Sequence, residues 1–389
     1  MTKCYICEQE ITSGNTYDEH IILNSIGGKL HSKNLICRKC SPQFDAIDSY
    51  LSKELNPLAN MLNIKRDRGN PQPIQAEIVK TGKKISLAPG GQPVLVEPTI
   101  EISEDRFYIS ARHRKQMRQI LQGLRRNYPE LLDVESILEK AIEEGNYLDS
   151  EVCFQTPIGG SDTFRAVCKM AMNFYIFRGG NRDFIAHLIP YLTSGGEYDC
   201  VWHFYPEDEN LPDNLKDGQI IHSLFIKGNP KEKVLYSFIE FFSTFRFLVL
   251  LSDDYTGEDF RSTYSFDVLE RVEIESDIDL NISKDKILSI LGERVLPVDH
   301  LKDKLDNIYK FTKQKQDYDP INLLATESVA NCLGGLPEGT IFTEELMREL
   351  IEDFSGKMAR FMYHSFYREQ KESQQGFNSY EDEPENTDE

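Results

Sequence analysis

Two Cys-x-x-Cys pairs near the start of the chain constrain its folding more than any other feature. Cys4 and Cys7 form the first pair, and Cys37 and Cys40 form the second. The two-residue spacer lets both thiolates of a pair reach one ion from a single tight turn, so two pairs supply the four ligands of a tetrahedral zinc site. Four thiolates leave zinc without an open coordination position, and the predicted zinc is therefore structural.

The segment between the two pairs carries an acid-acid-His triplet and a Gly-Gly step. It contains Asp18, Glu19 and His20 in succession, followed by Gly27 and Gly28. A neutral imidazole can accept a proton from water, and a carboxylate can hold a hard divalent cation against a phosphate oxygen. The segment therefore contains a candidate base and candidate ligands of a hard cation.

The order of these motifs resembles the HNH nuclease family: CxxC, an acid-His-Ile step, Gly-Gly, a second CxxC and then a helix. The resemblance implies a ββα-metal unit, in which a hairpin and a helix grip one catalytic cation, and it implies DNA as substrate. It also implies His20 as the general base and Glu19 as a ligand of Mg²⁺ or Mn²⁺, with Asp18 as a candidate second ligand. The middle Asn of the family corresponds best to Asn34, whose amide would orient the loop that carries the base.

The chain departs from the family pattern at two positions. The position directly after the last Cys, usually His or Asn, is Ser41, and Leu23 stands where Pro is common. Gln43 or Asp45 on the following helix, or a water molecule, are the alternatives for the third metal ligand. The resemblance covers residues 1–55.

Length and composition predict four regions in an α+β protein. At 389 residues the chain is long enough for about two or three domains. We expect a zinc-stapled ββα-metal nuclease domain at 1–70, a connector of strands and a basic helix at 71–150, a mixed α/β regulatory or targeting domain with helical C-terminal part at 151–370, and an acidic disordered tail at 371–389. Without a bilayer-spanning apolar run or a leader, a soluble, cytoplasmic protein is expected.

Two basic segments are candidates for contact with DNA phosphates. The first is a turn with Lys65, Arg66 and Arg68, and the second is a predicted helix at 111–127 with Arg114 and Arg118. Lys and Arg that neutralise phosphates release counterions, which contributes affinity without reading base sequence. The alternatives are a solvated turn and a helix docked on its acidic neighbour.

The formal net charge of −20 argues against a protein that coats nucleic acid non-specifically, because such binding depends on phosphate neutralisation. Part of this acidity lies in the stretch after Lys371, outside the two basic segments.

Hydrophobic periodicity predicts the elements that follow the second Cys pair. A helix is expected from Phe44 to Leu55, ending at Asn56 and Pro57 because proline disfavours the helical conformation in the residue before it. Further helices are expected at 163–177, at 182–188 before Pro190, at 298–313 and at 343–367.

Strand-like runs at 200–205, 219–227, 234–242 and 245–251 predict a mainly antiparallel sheet. His203 and His222 are expected on adjacent strands of this sheet.

Two functional classes remain open from the sequence. The first is a metal-dependent DNA endonuclease in which the body senses, targets or assembles, and the resemblance to bacterial HNH proteins suggests defence against phage or foreign DNA. The second is a non-catalytic, zinc-dependent module that binds nucleic acid or protein, with Glu19 and His20 at the surface. A protein partner or a homo-oligomer is expected through the C-terminal body, and no membrane partner is expected.

Overall fold

The fold was taken from a computed structural model, which describes residues 2–95, 98–102, 107–111, 114–128, 133–141, 151–155, 158–196, 198–206, 218–276, 278–337 and 339–378. It is the predicted mixture of helices and sheets. Contacts between Cα atoms divide the chain into two compact units: the first unit comprises 1–74, 88–91 and 155–313, and the second comprises 75–87, 92–154 and 314–389. This grouping joins the N-terminal segment to 155–313, and the four regions predicted above stay a prediction.

The chain begins with a short hairpin that is followed by a long helix. β1 (Glu19–His20) and β2 (His31–Ser32) pair antiparallel, with Glu19 opposite Ser32 and His20 opposite His31. A 3₁₀ turn at Ser41–Phe44 leads into α1 (Asp45–Met61). This order of two strands and one helix is the predicted ββα arrangement.

The predicted end of α1 at Pro57 is wrong, because the helix continues through the proline to Met61. An internal proline removes one backbone hydrogen bond and costs roughly 3 kcal/mol. Leu58, Ala59 and Leu62 on the continued segment are almost fully buried, and the burial of their apolar surface offsets that cost.

The chain then builds two small sheets and two helices in the second unit and at its boundary. β3 (Ile74–Ile78), β4 (Lys84–Ala88), β5 (Gln92–Leu95) and the later β8 (Val152–Cys153) form a four-stranded sheet in the order β5-β4-β3-β8. β6 (Thr99–Ile102) and β7 (Phe107–Ser110) form a two-stranded sheet. The predicted basic helix is present as α2 (Arg114–Asn127), and it packs against α3 (Val134–Lys140).

A buried helix follows. α4 (Ser161–Phe177) has nearly all of its side chains buried from Thr163 to Tyr175. A helix that is apolar around most of its circumference needs neighbours on several sides. Accordingly, α4 contacts α1 on one side and strands of the large sheet on another.

The predicted helix at 182–188 is wrong. Two 3₁₀ turns (Arg182–Phe184 and Ala186–Leu188) occupy this stretch, and α5 (Ile189–Ser194) begins next to Pro190. Proline is tolerated in the first turn of a helix, where its missing N–H would have no partner. Pro190 therefore starts a helix instead of ending one.

The large sheet has six antiparallel strands in the order β14-β13-β10-β11-β12-β9. The predicted strands are confirmed as β9 (Val201–His203), β10 (Ile221–Asn229), β11 (Val234–Phe241) and β12 (Phe245–Ser252), and the sheet also contains β13 (Phe260–Asp267) and β14 (Val272–Ile274). His203 and His222 are not on adjacent strands as predicted, because β11 and β12 lie between β9 and β10.

The C-terminal part is helical, as predicted. It contains α6 (Lys284–Glu293), α7 (Val298–Leu333) and α8 (Glu344–Asn378), of which the last two are longer than their sequence patterns indicated. α8 includes the first residues of the tail predicted at 371–389, and 379–389 lie outside the described residues. None of the helices within the described ranges has the length and apolar content needed to cross a membrane.

His222 fastens the loop after β1 to the large sheet. Its side chain is fully buried. Nε2 donates to the carbonyl oxygen of Ile26 at 2.9 Å, and Nδ1 accepts from the backbone N–H of Phe242 at 3.2 Å. Burial lowers the pKa of His222 from 6.5 to about 4, so the imidazole is neutral at pH 7 and its tautomer is set by these two partners.

We expect His222 to make the chain less stable in acid. Folding lowers the pKa of His222 from 6.5 to about 4. The contribution of the neutral imidazole to the free energy of unfolding is therefore fully present above pH 6.5 and is lost as the pH falls from 6.5 to about 4. The loss amounts to about 3 kcal/mol. His222→Gln should reduce the loss of unfolding free energy between pH 7 and pH 4.5, measured by urea denaturation. His300→Gln, which replaces an exposed imidazole, is the control, and a pH dependence in His222→Gln equal to that of wild type would contradict the expectation.

Candidate functional site

The four cysteines of the two pairs come together. One ligand atom from each of Cys4, Cys7, Cys37 and Cys40 lies within 4.8 Å of all the others, and no other such group of His, Cys, Asp or Glu occurs in the described part of the chain. Three of these cysteines are buried and Cys7 is exposed. A closed set of four sulfur ligands fits a structural zinc ion, so the prediction that the four residues form one metal site is confirmed.

β1 presents Glu19 and His20 to opposite faces of the hairpin, because successive side chains alternate along a strand. Glu19 is 4% exposed, whereas His20 is partly exposed. The two residues with the central predicted roles are therefore neighbours in sequence but do not share a face.

The buried face holds an ionic cluster. Glu19 Oε1 accepts from Lys169 Nζ at 2.7 Å and from Asn173 Nδ2 at 3.2 Å. Lys169 Nζ also donates to Asp48 Oδ2 at 2.5 Å, and Asn173 Oδ1 accepts from the Tyr5 hydroxyl at 2.8 Å. Burial by itself would lower the pKa of Lys169, but the carboxylates of Asp48 and Glu19 raise it above its usual value. The ammonium therefore stays charged.

The open face of the hairpin holds a second group of polar side chains. His20 and His31 are cross-strand partners with ring centroids 5.4 Å apart. His31 Nδ1 donates to Asp18 Oδ1 at 2.7 Å. Burial, together with the nearby His31, lowers the pKa of His20 below its ordinary value of 6.5. His20 is therefore a neutral imidazole at pH 7, which is the form that accepts a proton.

The other predicted site residues lie around the hairpin and the start of α1. Asn34 is exposed after β2, where its backbone N–H donates to Ser32 Oγ. Of the three alternatives for a third metal ligand, Ser41 is buried, whereas Gln43 and Asp45 are exposed. The α1 residue that meets the Glu19 cluster is Asp48, which the sequence reasoning missed.

Comparison with known protein families agrees with this geometry. A family model described as HNH endonuclease matches residues 4–56. Residues 4–56 are therefore similar to an HNH endonuclease domain and are called the HNH domain below. The match spans both Cys pairs, the hairpin and most of α1. Comparison of the chain with curated proteins and with solved structures finds no match.

The HNH domain does not fit a hard cation held jointly by Glu19 and Asp18 in this arrangement. The two carboxylates belong to different faces of the hairpin. Glu19 Oε1 already has two donors, and Asp18 Oδ1 is engaged by His31. The predicted Mg²⁺ or Mn²⁺ therefore lacks a pair of convergent protein carboxylates at these two positions.

The basic turn after the HNH domain is held by its neighbours. Lys65 and Arg68 are exposed, whereas Arg66 is partly buried and donates to Asn56 Oδ1 at 3.2 Å. Asp67 between them is bound by a set of donors that comprises Lys29, Arg271 at 3.2 Å and Asn24 Nδ2 at 2.8 Å. Of the three predicted phosphate contacts in this turn, Lys65 and Arg68 are therefore the accessible ones.

The predicted contacts on α2 differ in a similar way. Arg114 is exposed. Arg118 forms a two-pronged ion pair with Glu135 of α3, in which the distances are 3.0 Å and 2.8 Å. Contact with an acidic neighbour was the alternative considered for this helix, and both partners remain about half exposed.

Several residues of the site were not identified from the sequence. The sequence contains one local signal for Lys169, because it is a charged residue within an otherwise apolar helical run. A lysine that is buried in such a helix is expected to be paired, since unpaired buried lysines are rare. His31 left a weaker signal, because it faces His20 only once the register of the hairpin is known. Nothing in the local sequence of Asp48 or Asn173 points to the cluster.

Removal of one zinc ligand should unfold the HNH domain, because a short hairpin gains its folding free energy largely from the metal. Cys37→Ser should lose bound zinc, measured by elemental analysis, and should lose the ordered hairpin, measured by hydrogen exchange. Cys153→Ser replaces an exposed cysteine outside the cluster and should keep both. A Cys37→Ser protein with full zinc content and a protected hairpin would rule out this role of the four thiolates.

Proposed function

We propose that the chain is an endonuclease that hydrolyses phosphodiester bonds of DNA, with His20 of the HNH domain as its general base. The observation that carries the proposal is the position of His20, a partly exposed and neutral imidazole on a hairpin that lies between the two Cys pairs and whose connecting loop packs on α1. A rigid support keeps a catalytic group at a fixed distance from its substrate.

His20 would accept the proton of the attacking water. Its lowered pKa keeps the imidazole unprotonated at neutral pH, so that it can act as a base in each turnover. His31, held by Asp18 at 2.7 Å, lies beside it, with the two ring centroids 5.4 Å apart. The need for Mg²⁺ or Mn²⁺ stays a prediction from the family resemblance, and so do a role of Asn34 and a cytoplasmic location.

DNA would lie along the accessible basic side chains. Lys65 and Arg68 follow the HNH domain directly and are exposed, so they are the preferred candidates for phosphate contacts, and Arg114 on α2 stays a separate prediction. Such contacts position the duplex without selecting a sequence.

The alternative function is a zinc-dependent binding module. It is favoured by the ion pair between Glu19 and Lys169, which ties up the residue predicted to hold the catalytic cation. A binding module would keep the zinc site and the basic surface but would not cut DNA.

A role in defence against phage or foreign DNA is the biological setting that the resemblance suggests. In that setting the body, predicted at 151–370, would sense a trigger or assemble with a partner.

Replacement of the proposed base should remove most activity. His20→Ala should lower the rate of plasmid cleavage by about 10²–10⁴-fold, while zinc content and the circular dichroism spectrum stay unchanged. His187→Ala, which removes an exposed imidazole of the body, is the matched control. Wild-type cleavage rates in a folded, zinc-replete His20→Ala protein would favour the binding module.

The number of phosphate contacts can be measured from the salt dependence of DNA affinity. If Lys65 and Arg68 contact phosphates, the double variant Lys65→Gln/Arg68→Gln should flatten the plot of log affinity against log salt by about 0.9 for each lost contact. The weakening should be the same for unrelated DNA sequences, because these contacts read no bases. Lys231→Gln, at an exposed position outside the HNH domain, should leave the slope unchanged, and an unchanged slope in the double variant would assign Lys65 and Arg68 to solvated surface.

A further inference from the structure

α4 carries one lysine into a buried apolar environment. Lys169 is 1% exposed, and its chain neighbours Cys168 and Met170 are fully buried. A charge removed from water is costly unless opposite charges and hydrogen bonds compensate it closely. The surroundings of this ammonium are therefore informative about what the cluster is built to hold.

Two carboxylates of the HNH domain converge on the ammonium from two different elements. Glu19 Oε1 on β1 lies 2.7 Å from Lys169 Nζ, and Asp48 Oδ2 on α1 lies 2.5 Å from it. The ring of Phe44 lies over the same Nζ, with its centroid 5.5 Å away. Carboxylates from a hairpin and a helix that meet at one positive centre have the donor set of a hard divalent cation, but the positive centre here is an amino group.

The second carboxylate oxygen of Asp48 shows that the cluster is not saturated. Asp48 Oδ1 is buried and has no hydrogen-bond partner within the described residues. Asn173 supplies a neutral donor to Glu19 Oε1 at 3.2 Å. The single positive charge of Lys169 thus faces two carboxylates, which leaves the cluster short of positive charge.

We propose that the Lys169 ammonium takes the place of a divalent cation between Glu19 and Asp48, and that Glu19 binds no Mg²⁺ or Mn²⁺ while α4 packs against the HNH domain. This inference rests on the proposed function, since it concerns the same nuclease site. It assigns Asp48 as the partner of Glu19 on α1, in place of Ser41, Gln43 or Asp45. It also makes Lys169 a positioning residue that acts through Glu19.

The positive charge that balances Glu19 of the HNH domain therefore comes from the body, on Lys169 of α4. Lys169 and Asn173 both belong to α4, and both contact Glu19. A divalent cation could bind Glu19 only after the Lys169 ammonium has moved away, because a cation and an ammonium group beside the same carboxylate repel each other strongly. Binding of metal at Glu19 and packing of α4 on the hairpin are therefore mutually exclusive.

The test is Mn²⁺ binding by the zinc-replete full-length chain, followed by electron paramagnetic resonance. Wild type and Glu19→Gln should bind the same amount of Mn²⁺, because Glu19 is not available. Lys169→Met frees the two carboxylates and should gain one Mn²⁺ site per chain, and this site should disappear in Lys169→Met/Glu19→Gln. Lys357→Met, which removes another lysine paired with an aspartate, Asp353 at 2.8 Å, should gain no site that depends on Glu19.

Two results would overturn the proposal. One is Mn²⁺ binding by wild type that Glu19→Gln abolishes, and the other is a folded Lys169→Met protein that gains no Mn²⁺. If Lys169→Met does not fold, the comparison of wild type with Glu19→Gln decides by itself, because Glu19→Gln keeps the shape of the side chain and the charge of Asp48.

Failure of this inference is distinguishable from failure of the proposed function. If wild type cuts plasmid and binds Mn²⁺ through Glu19, the proposed endonuclease function stands and the proposed role of Lys169 is refuted. Full activity of His20→Ala would remove the proposed base and leave the Mn²⁺ comparison unaffected, because His20 lies on the other face of the hairpin.

Discussion

The burial of one ammonium group determines how the first unit packs. Lys169 cannot lie in an apolar core without both Glu19 and Asp48, so α4, β1 and α1 must meet at a single point. Two neutral contacts also join the HNH domain to later parts of the chain, one from Tyr5 to Asn173 of α4 and one from the Ile26 carbonyl to His222 of β10. The zinc site shapes the hairpin locally, and the ion pairs of Lys169 place it against the body.

Features that depend on short spacing were predictable from the sequence. The CxxC pairs defined the metal ligands, because the ligand geometry is encoded within each turn. The strands from β9 to β12 were predictable from their apolar runs. The clustering of Lys169 with Asp48 was not, since 121 positions separate the two residues along the chain and local sequence contains no information about such a pairing.

Local rules failed where tertiary burial opposed them. The preference of proline to end a helix predicted the wrong boundaries at Pro57 and Pro190. Packing of the residues after Pro57 continues α1, and Pro190 lies in the first turn of α5, where proline is tolerated. The role predicted for Glu19 depended on its place beside His20 in the sequence. In a strand, that same adjacency sends the two side chains to opposite faces, and only the register and the surroundings of the hairpin reveal which face is buried.

The dependence of Glu19 on α4 bears on how such a chain could have been assembled during evolution. Transfer of residues 4–56 alone to another protein would bring the four cysteines and the proposed base, but it would leave Glu19 without Lys169 and the Ile26 carbonyl without His222. A successful recombination event would have to include α4 as well, or the host protein would have to supply a helix that places a lysine next to Glu19. The compact unit that holds residues 4–56 is therefore larger than the segment that the family match delimits.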